Sequence, residues 1–185
     1  MQVIILQPRH KMNSTISNYI LTQISYPLLI DEMPSENLGM ICIVTCHDND
    51  AIARSIKSLQ TMAQPAFDIE LYVMIYACRD DQQEVHDRNI AIDIALHEID
   101  PLPEWCRLYV ITNNNFARPK ATAEFAAKIG MDDAVRRFQY MKKPDGLIAS
   151  LKPDFVVDDF GFDILNEEDC QTVLEYCKCN TAPNV

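Results

Sequence analysis

The feature that most restricts this chain is a set of strand-length apolar runs, each followed by a segment of helical or loop character. LGMICIVTC (38–46), IELYVMIYA (69–77), CRLYVIT (106–112) and GLIASL (146–151) are rich in β-branched and large apolar residues, with little alternation. Strands that are apolar almost throughout are covered on both faces. Between the runs, DNDAIARSIKSLQTM, the stretch from about Asp80 to Ile99, and ATAEFAAKIGMDDAVRRFQYMKK place apolar residues at helical spacing. This alternation predicts an α/β fold: three layers, α/β/α, around one mainly parallel open sheet of Rossmann-like kind.

Local chemistry refines the elements. STISNYILTQIS predicts a short helix capped by Ser14 or Thr15, and DEMPSEN a turn. Asp48 or Asp50 is available to cap the next helix, whose stripe is Ile52, Ile56 and Leu59. Val85, Ile90, Ile94 and Leu96 supply the apolar positions of the helix after that. NNNFARPK reads as an extended loop in which Pro119 delays the following helix. In that helix Gly130 costs roughly 1 kcal/mol relative to Ala, which points to a close contact, and Arg136 and Arg137 form a solvated face. NEEDCQTVLEYCK (166–178) predicts a last helix with Asn166 as its cap.

A chain of 185 residues is expected to be one domain: an extension over 1–37, a ligand-binding core over 38–165, and a helix and tail over 166–185. An apolar fraction of 48% against 23% charged excludes wholesale disorder. The net charge of −11 opposes binding to nucleic acid, which needs clustered Lys and Arg. Seven cysteines without a CxxC read as reduced thiols, and Cys177 and Cys179 lack a second pair at zinc spacing. The run MQVIIL is too short for a signal-peptide core or a membrane span, so a soluble, cytoplasmic protein is expected.

In open parallel sheets, ligands bind outside the C-terminal ends of the strands. VTCHDND, YACRDDQ, TNNNFARPK and LKPDFVVDD occupy those positions. None contains a GxGxxG, a GxxxxGK[ST] or a GxSxG, which excludes a dinucleotide fingerprint, a P-loop and a hydrolase elbow. Cys46 and His47 are sequence neighbours at a strand end and point in different directions, a poor nucleophile–base pair.

VTCHDND, IELYVMIYACRDD, KATAEFAAKIGMDDAVRRF and DGLIASLKPDFVVDD together resemble, in register over residues 38–160, the nucleotide-sugar-binding half of a family 2 glycosyltransferase with the GT-A fold. The helix string is the most specific of the four. The resemblance implies transfer of a sugar from a nucleoside diphosphate sugar to an acceptor hydroxyl. Thr45, His47 and Asn49 at the first strand end, with Tyr76 and Asp80 at the second, would line the base and ribose. Lys120 would approach the diphosphate, and Asp154, in a D-x-D, would bind Mg²⁺ or Mn²⁺ as the cofactor.

The departures from the family pattern are specific. Lys152 and Pro153 precede Asp154, so the first acid of the D-x-D is a lysine, which repels a divalent cation and can itself meet a diphosphate as a point charge. Ile75 or Tyr76 stands where the family has Asp or Asn, and Thr45 where it has Pro. Ala121, Ala123 and Ala127 stand in the region of two family glycines and an arginine that clamps phosphate. The family's acceptor region and base lie further along than this sequence extends past Asp154, so the catalytic residues are unassigned. Three readings follow: a glycosyltransferase working by inverting displacement, a non-catalytic GT-A-like binding or structural domain, or an unrelated small α/β enzyme. Donor, acceptor and oligomeric state are not written in the chain.

Overall fold

A computed structural model describes residues 9–155 and 170–181. Along the chain come α1 (Arg9–Gln23), β1 (Leu38–Cys46), α2 (Ala51–Ser58), β2 (Asp68–Cys78), α3 (Gln83–His97), β3 (Cys106–Phe116), α4 (Ala123–Met141), β4 (Leu147–Leu151), β5 (Cys170–Thr172) and α5 (Val173–Thr181). The sheet order is β3-β2-β1-β4-β5. β1 to β4 run parallel, and β5 is antiparallel to β4. The architecture is the α/β class expected: a mostly parallel five-stranded sheet with flanking helices.

The chain winds outward from β1 through β2 to β3, then crosses back along α4 to place β4 on the other side of β1. That reversal makes the carboxyl ends of β1 and β4 a topological switch point, where a crevice opens in sheets of this kind. Strand alternation divides the core between two faces. Cys42, Val44, Leu71 and Val73 pack with Ile52 and Ile56 of α2 and Ile92 and Leu96 of α3. Ile41, Ile43, Tyr72 and Met74 pack with Val135 and Phe138 of α4, Ile16 and Tyr19 of α1, and Val173 and Tyr176 of α5. Both faces being covered is why β1 and β2 are apolar almost throughout. Each fully buried Ile or Val contributes roughly 1.5–3 kcal/mol.

Gly130 is where α4 lies on β1. A Cβ there would stand 3.0 Å from Ile43 Cγ2 and 3.3 Å from Met74 Sδ. The close contact expected of this glycine is present.

Several boundaries differ from the sequence reading. α1 begins at Arg9, so Ser14 and Thr15 lie inside it and do not cap it. β3 runs on through the asparagines to Phe116, because Asn113 pairs with Tyr76 and Phe116 with Cys78. Pro119 sits in a single 3-10 turn, Arg118–Lys120. α3 starts at Gln83 and buries Asn89, Ile92 and Leu96 while exposing Ile90 and Ile94. The last helix starts at Val173, since Cys170–Thr172 is taken by the sheet. Asp158, Asp159 and the suggested cap Asn166 lie outside the described residues.

The largest correction concerns α4. Arg137 is not on a solvated face: it is 4% exposed and donates to Glu70 Oε1 at 2.5 Å and to the Glu32 carbonyl at 2.7 Å. Arg136 bonds the Tyr26 carbonyl, stacks over the Tyr26 ring and faces Asp133. Asp133 accepts from Leu29 N–H at 3.1 Å. Asp132 accepts from Tyr19 at 2.6 Å, Tyr176 at 3.1 Å and Tyr26, and Lys128 reaches both its oxygens. One run of four charged residues and one lysine thus ties α1, the 26–32 segment, β2 and α5 to α4. Burial is the physical reason: charges under this cover must be paired or hydrogen-bonded.

Candidate functional site

The site is built at the carboxyl ends of β1 to β4, where α4 begins beside Phe116 of β3 and Ser150 of β4. β1 ends at Cys46, whose Sγ donates to the Asn49 carbonyl at 3.3 Å. Burial raises the thiol's pKa, keeping it protonated and unfit as a nucleophile. Asp48 takes a left-handed backbone, φ 52°. Its N–H donates to Asn89 Oδ1 at 3.0 Å, and its carboxylate pairs with Arg88. The Asn89 amide then donates to the Tyr76 carbonyl at 3.0 Å and Asn114 Oδ1 at 2.8 Å. One buried amide on α3 therefore ties the ends of β1, β2 and β3 in fixed relation.

Across those ends runs a row of rings. His47 meets Tyr76 with centroids 5.2 Å apart, Tyr76 meets Phe116 at 6.5 Å, and Phe116 meets Phe125 edge-to-face at 5.4 Å. Lys120 Nζ stands 5.2 Å from the Phe125 centroid. Tyr76 is half-buried, and burial, then the charge of Glu124, raises its pKa. Asp81 accepts from Cys78 N–H at 2.8 Å and approaches His47 Nε2 at 3.4 Å. The Cys78 amide foremost, then His47, holds that carboxyl below its ordinary value. Arg118 donates to the Asp80 carbonyl at 3.4 Å.

At the β4 side lies an open cavity of about 400 Å³ with a mixed wall, lined among others by Glu124, Lys128, Met131, Ser150, Tyr176 and Asn180, with Ala123 and Ala127 leaving it room. Val44 pairs with Leu151, so Lys152 leaves the sheet beside Thr45. A turn closed by Phe155 N–H to the Lys152 carbonyl, 3.1 Å, then swings the chain toward α2, where Ser55 Oγ donates to the Pro153 carbonyl at 2.8 Å.

The structure thus brings Thr45, His47, Tyr76, Lys120 and Lys152 to one end of the sheet, His47 and Lys120 at the two ends of the ring row. Asn49 is turned to α2, accepting from Ala51 N–H at 3.0 Å; it, and neither Asp48 nor Asp50, provides the side-chain bond at that helix start. Asp80 is exposed and its Oδ2 lies 3.9 Å from Cys78 Sγ. Asp154 is exposed beyond Pro153. Phe116, Phe125, Asn89 and Ser150 were not foreseen. Phe116 and Phe125 flank the RPK turn in the sequence, which does not show that they meet; Asn89 gave no signal, being one polar residue in a mixed helix.

Among the described residues, those around Asp154 do not fit a divalent metal. Hard cations need several oxygen donors. Lys152 stands in place of the first acid, and among the described residues no group of three His, Cys, Asp or Glu side chains could hold an ion.

The fold is a mixed α/β domain with a mostly parallel five-stranded sheet. No protein-family model matches the chain, and no curated protein matches it in sequence. Two solved structures of the mannosyltransferase Ktr4p from S. cerevisiae are similar in outline. The complex with GDP aligns at 12% identity and a TM-score of 0.27, over 89% of this chain and 48% of that one. A second structure aligns at 9% identity and 0.29, over 89% and 47%. The chain spans about half the length of the enzymes it matches, and likeness at this level carries no information on chemistry. Among the described residues no helix is long and apolar enough to cross a membrane.

Proposed function

We propose that this chain is a glycosyltransferase-like domain that binds a nucleoside diphosphate sugar across the carboxyl ends of β1 to β4. The observation that carries this is the row His47–Tyr76–Phe116–Phe125 with Lys120 at its end, lying at the strand ends whose sequences resemble the family. Rings at a strand end offer a stacking surface for a base, and ammonium groups beside them suit a diphosphate. His47 and Tyr76 would meet the base and ribose. In the transferase reaction the bond from the anomeric carbon to the diphosphate breaks as an acceptor oxygen bonds to that carbon from the opposite side. The acceptor's proton passes to a base that no described residue is assigned to be.

A second reading, a binding domain without catalysis, is favoured by Lys152 in the place of an acid. A thermal-shift screen against the common nucleotide sugars tests the first step: stabilisation by one of them, lost in His47→Ala or Tyr76→Ala, is the expected result. No shift with any would remove the proposal. Chromatography of the stabilising donor, incubated with and without the protein in the presence of a panel of acceptor hydroxyl compounds, separates the two readings, because release of nucleoside diphosphate together with a glycosylated acceptor requires a transferase.

A further inference from the structure

We infer that the strand-end crevice holds its diphosphate on lysine ammonium groups, Lys152 foremost, and not through a divalent cation. The inference rests on the nucleotide-binding reading above and deepens it. Three observations converge. Lys152 leaves β4 one residue past the Val44–Leu151 pair, at the switch point between β1 and β4. Asp154 is exposed, two residues on, past a proline whose carbonyl is tied to Ser55 of α2, so the turn is fixed and directs the chain toward the opposite face. No cluster of three potential metal ligands exists among the described residues.

The disposition of the other cations sharpens this. Lys128, Arg136 and Arg137 are committed to Asp132, Asp133 and Glu70, and Arg88 to Asp48. Lys120 and Lys152 have no ion pair among the described residues, and both are exposed. In a chain of net charge −11, these two lysines follow the ends of β3 and β4, and with Arg79 and Arg118, which also lack an ion pair among the described residues, they supply positive charge at these strand ends for an incoming anion. An ammonium is a compact point charge with three donors, able to neutralise and hydrogen-bond a phosphate oxygen directly. A carboxylate site does the same task only by recruiting a cation, and a lysine in the first ligand position opposes that recruitment.

The test is calorimetric titration of the full chain with GDP and with UDP, in EDTA and then in excess MnCl₂ or MgCl₂. Affinities in EDTA and in metal should agree to within about twofold. Lys152→Ala should weaken binding roughly tenfold or more, with a smaller loss for Lys120→Ala, as expected when a charged hydrogen bond is removed. Lys152→Asp should make the residual binding depend on Mn²⁺. Binding seen only with metal would overturn the inference and leave the nucleotide reading intact. Metal-free binding that Lys152→Ala does not weaken would overturn the role of Lys152. No binding in any condition would remove the nucleotide reading itself and this inference with it. Lys152 is exposed, so its variants should fold; equal urea midpoints for the variants and the parent check that.

Discussion

The two halves of α4 carry charge under opposite conditions. From Asp132 to Arg137 the helix is covered by α1, α5 and the 26–32 segment, and its carboxylates and guanidiniums are bound to partners inside the molecule. Around its first turn and the RPK segment before it, Lys120 and Glu124 are exposed, and the neighbouring alanines leave a cavity. Position along one helix therefore separates charges that hold the fold from charges free to meet a ligand. The distinction is one of burial, not of residue type.

The largest test of it is Arg137→Ala. It strands Glu70, 1% exposed, without its countercharge, and should lower stability by about 3–5 kcal/mol in urea denaturation. Lys152→Ala, at the open end, should stay within about 0.5 kcal/mol. Equal effects would erase the contrast. Next comes Asp132→Asn. An amide has one acceptor oxygen where the carboxylate serves three phenols and a lysine, so a loss of about 2–3 kcal/mol is expected. Tyr176→Phe, which removes one of those phenols, should cost about 1 kcal/mol by the same measurement.

A smaller effect marks the middle of the helix. Gly130→Ala gains about 1 kcal/mol of helix propensity. Its Cβ would meet Ile43 Cγ2 at 3.0 Å, on a strand residue with no exposed surface to move into. The overpacking should outweigh the gain and leave the protein about 1 kcal/mol less stable. A stabilised Gly130→Ala would mean that α4 can lift from β1, and that its two halves are not rigidly joined.

How much of this was readable beforehand follows the same line of burial. The strands were legible because both faces of the sheet are covered, and that writes a near-continuous apolar run that no loop would carry. Gly130 was legible because a glycine inside an Ala-rich helix needs a steric reason. Arg137 and Asp132 were not: a charged residue on a helix looks solvated until the segment that covers it is known, and here the cover comes from Tyr19, Tyr26 and Tyr176, distant in sequence. Ile90 and Ile94 misled for the converse reason, since α3 turns Asn89 inward to tie three strand ends. At the site, strand ends could be located by counting runs, so the placement of His47, Lys120 and Lys152 at one end of the sheet was legible. The ring row could not, because Tyr76, Phe116 and Phe125 meet only through the β2–β3 register and the turn before α4.

The finest test compares two carboxyls, Asp133 at the covered end and Asp81 at the open one, whose pKa shifts have opposite sign. Burial raises Asp133 above its ordinary 3.8, against the smaller pull of the Leu29 amide and Arg136. In the folded state it therefore holds its proton to higher pH than when unfolded. Its contribution to stability is complete below 3.8 and is lost as pH rises through the folded value. Asp81 is lowered below 3.8, by the Cys78 amide foremost, so its contribution is present above 3.8 and is lost as pH falls through the folded value. Urea midpoints taken at intervals from acid to neutral pH should show Asp133→Asn removing a decline on the rising side. Asp81→Asn should soften the loss on the acid side, and by less, because the carboxyl is near solvent and its attractions are screened. An Asp133→Asn profile parallel to that of the parent protein would mean that the carboxyl is ionised without penalty beneath its cover, and that the covered half of α4 is no drier than the open one.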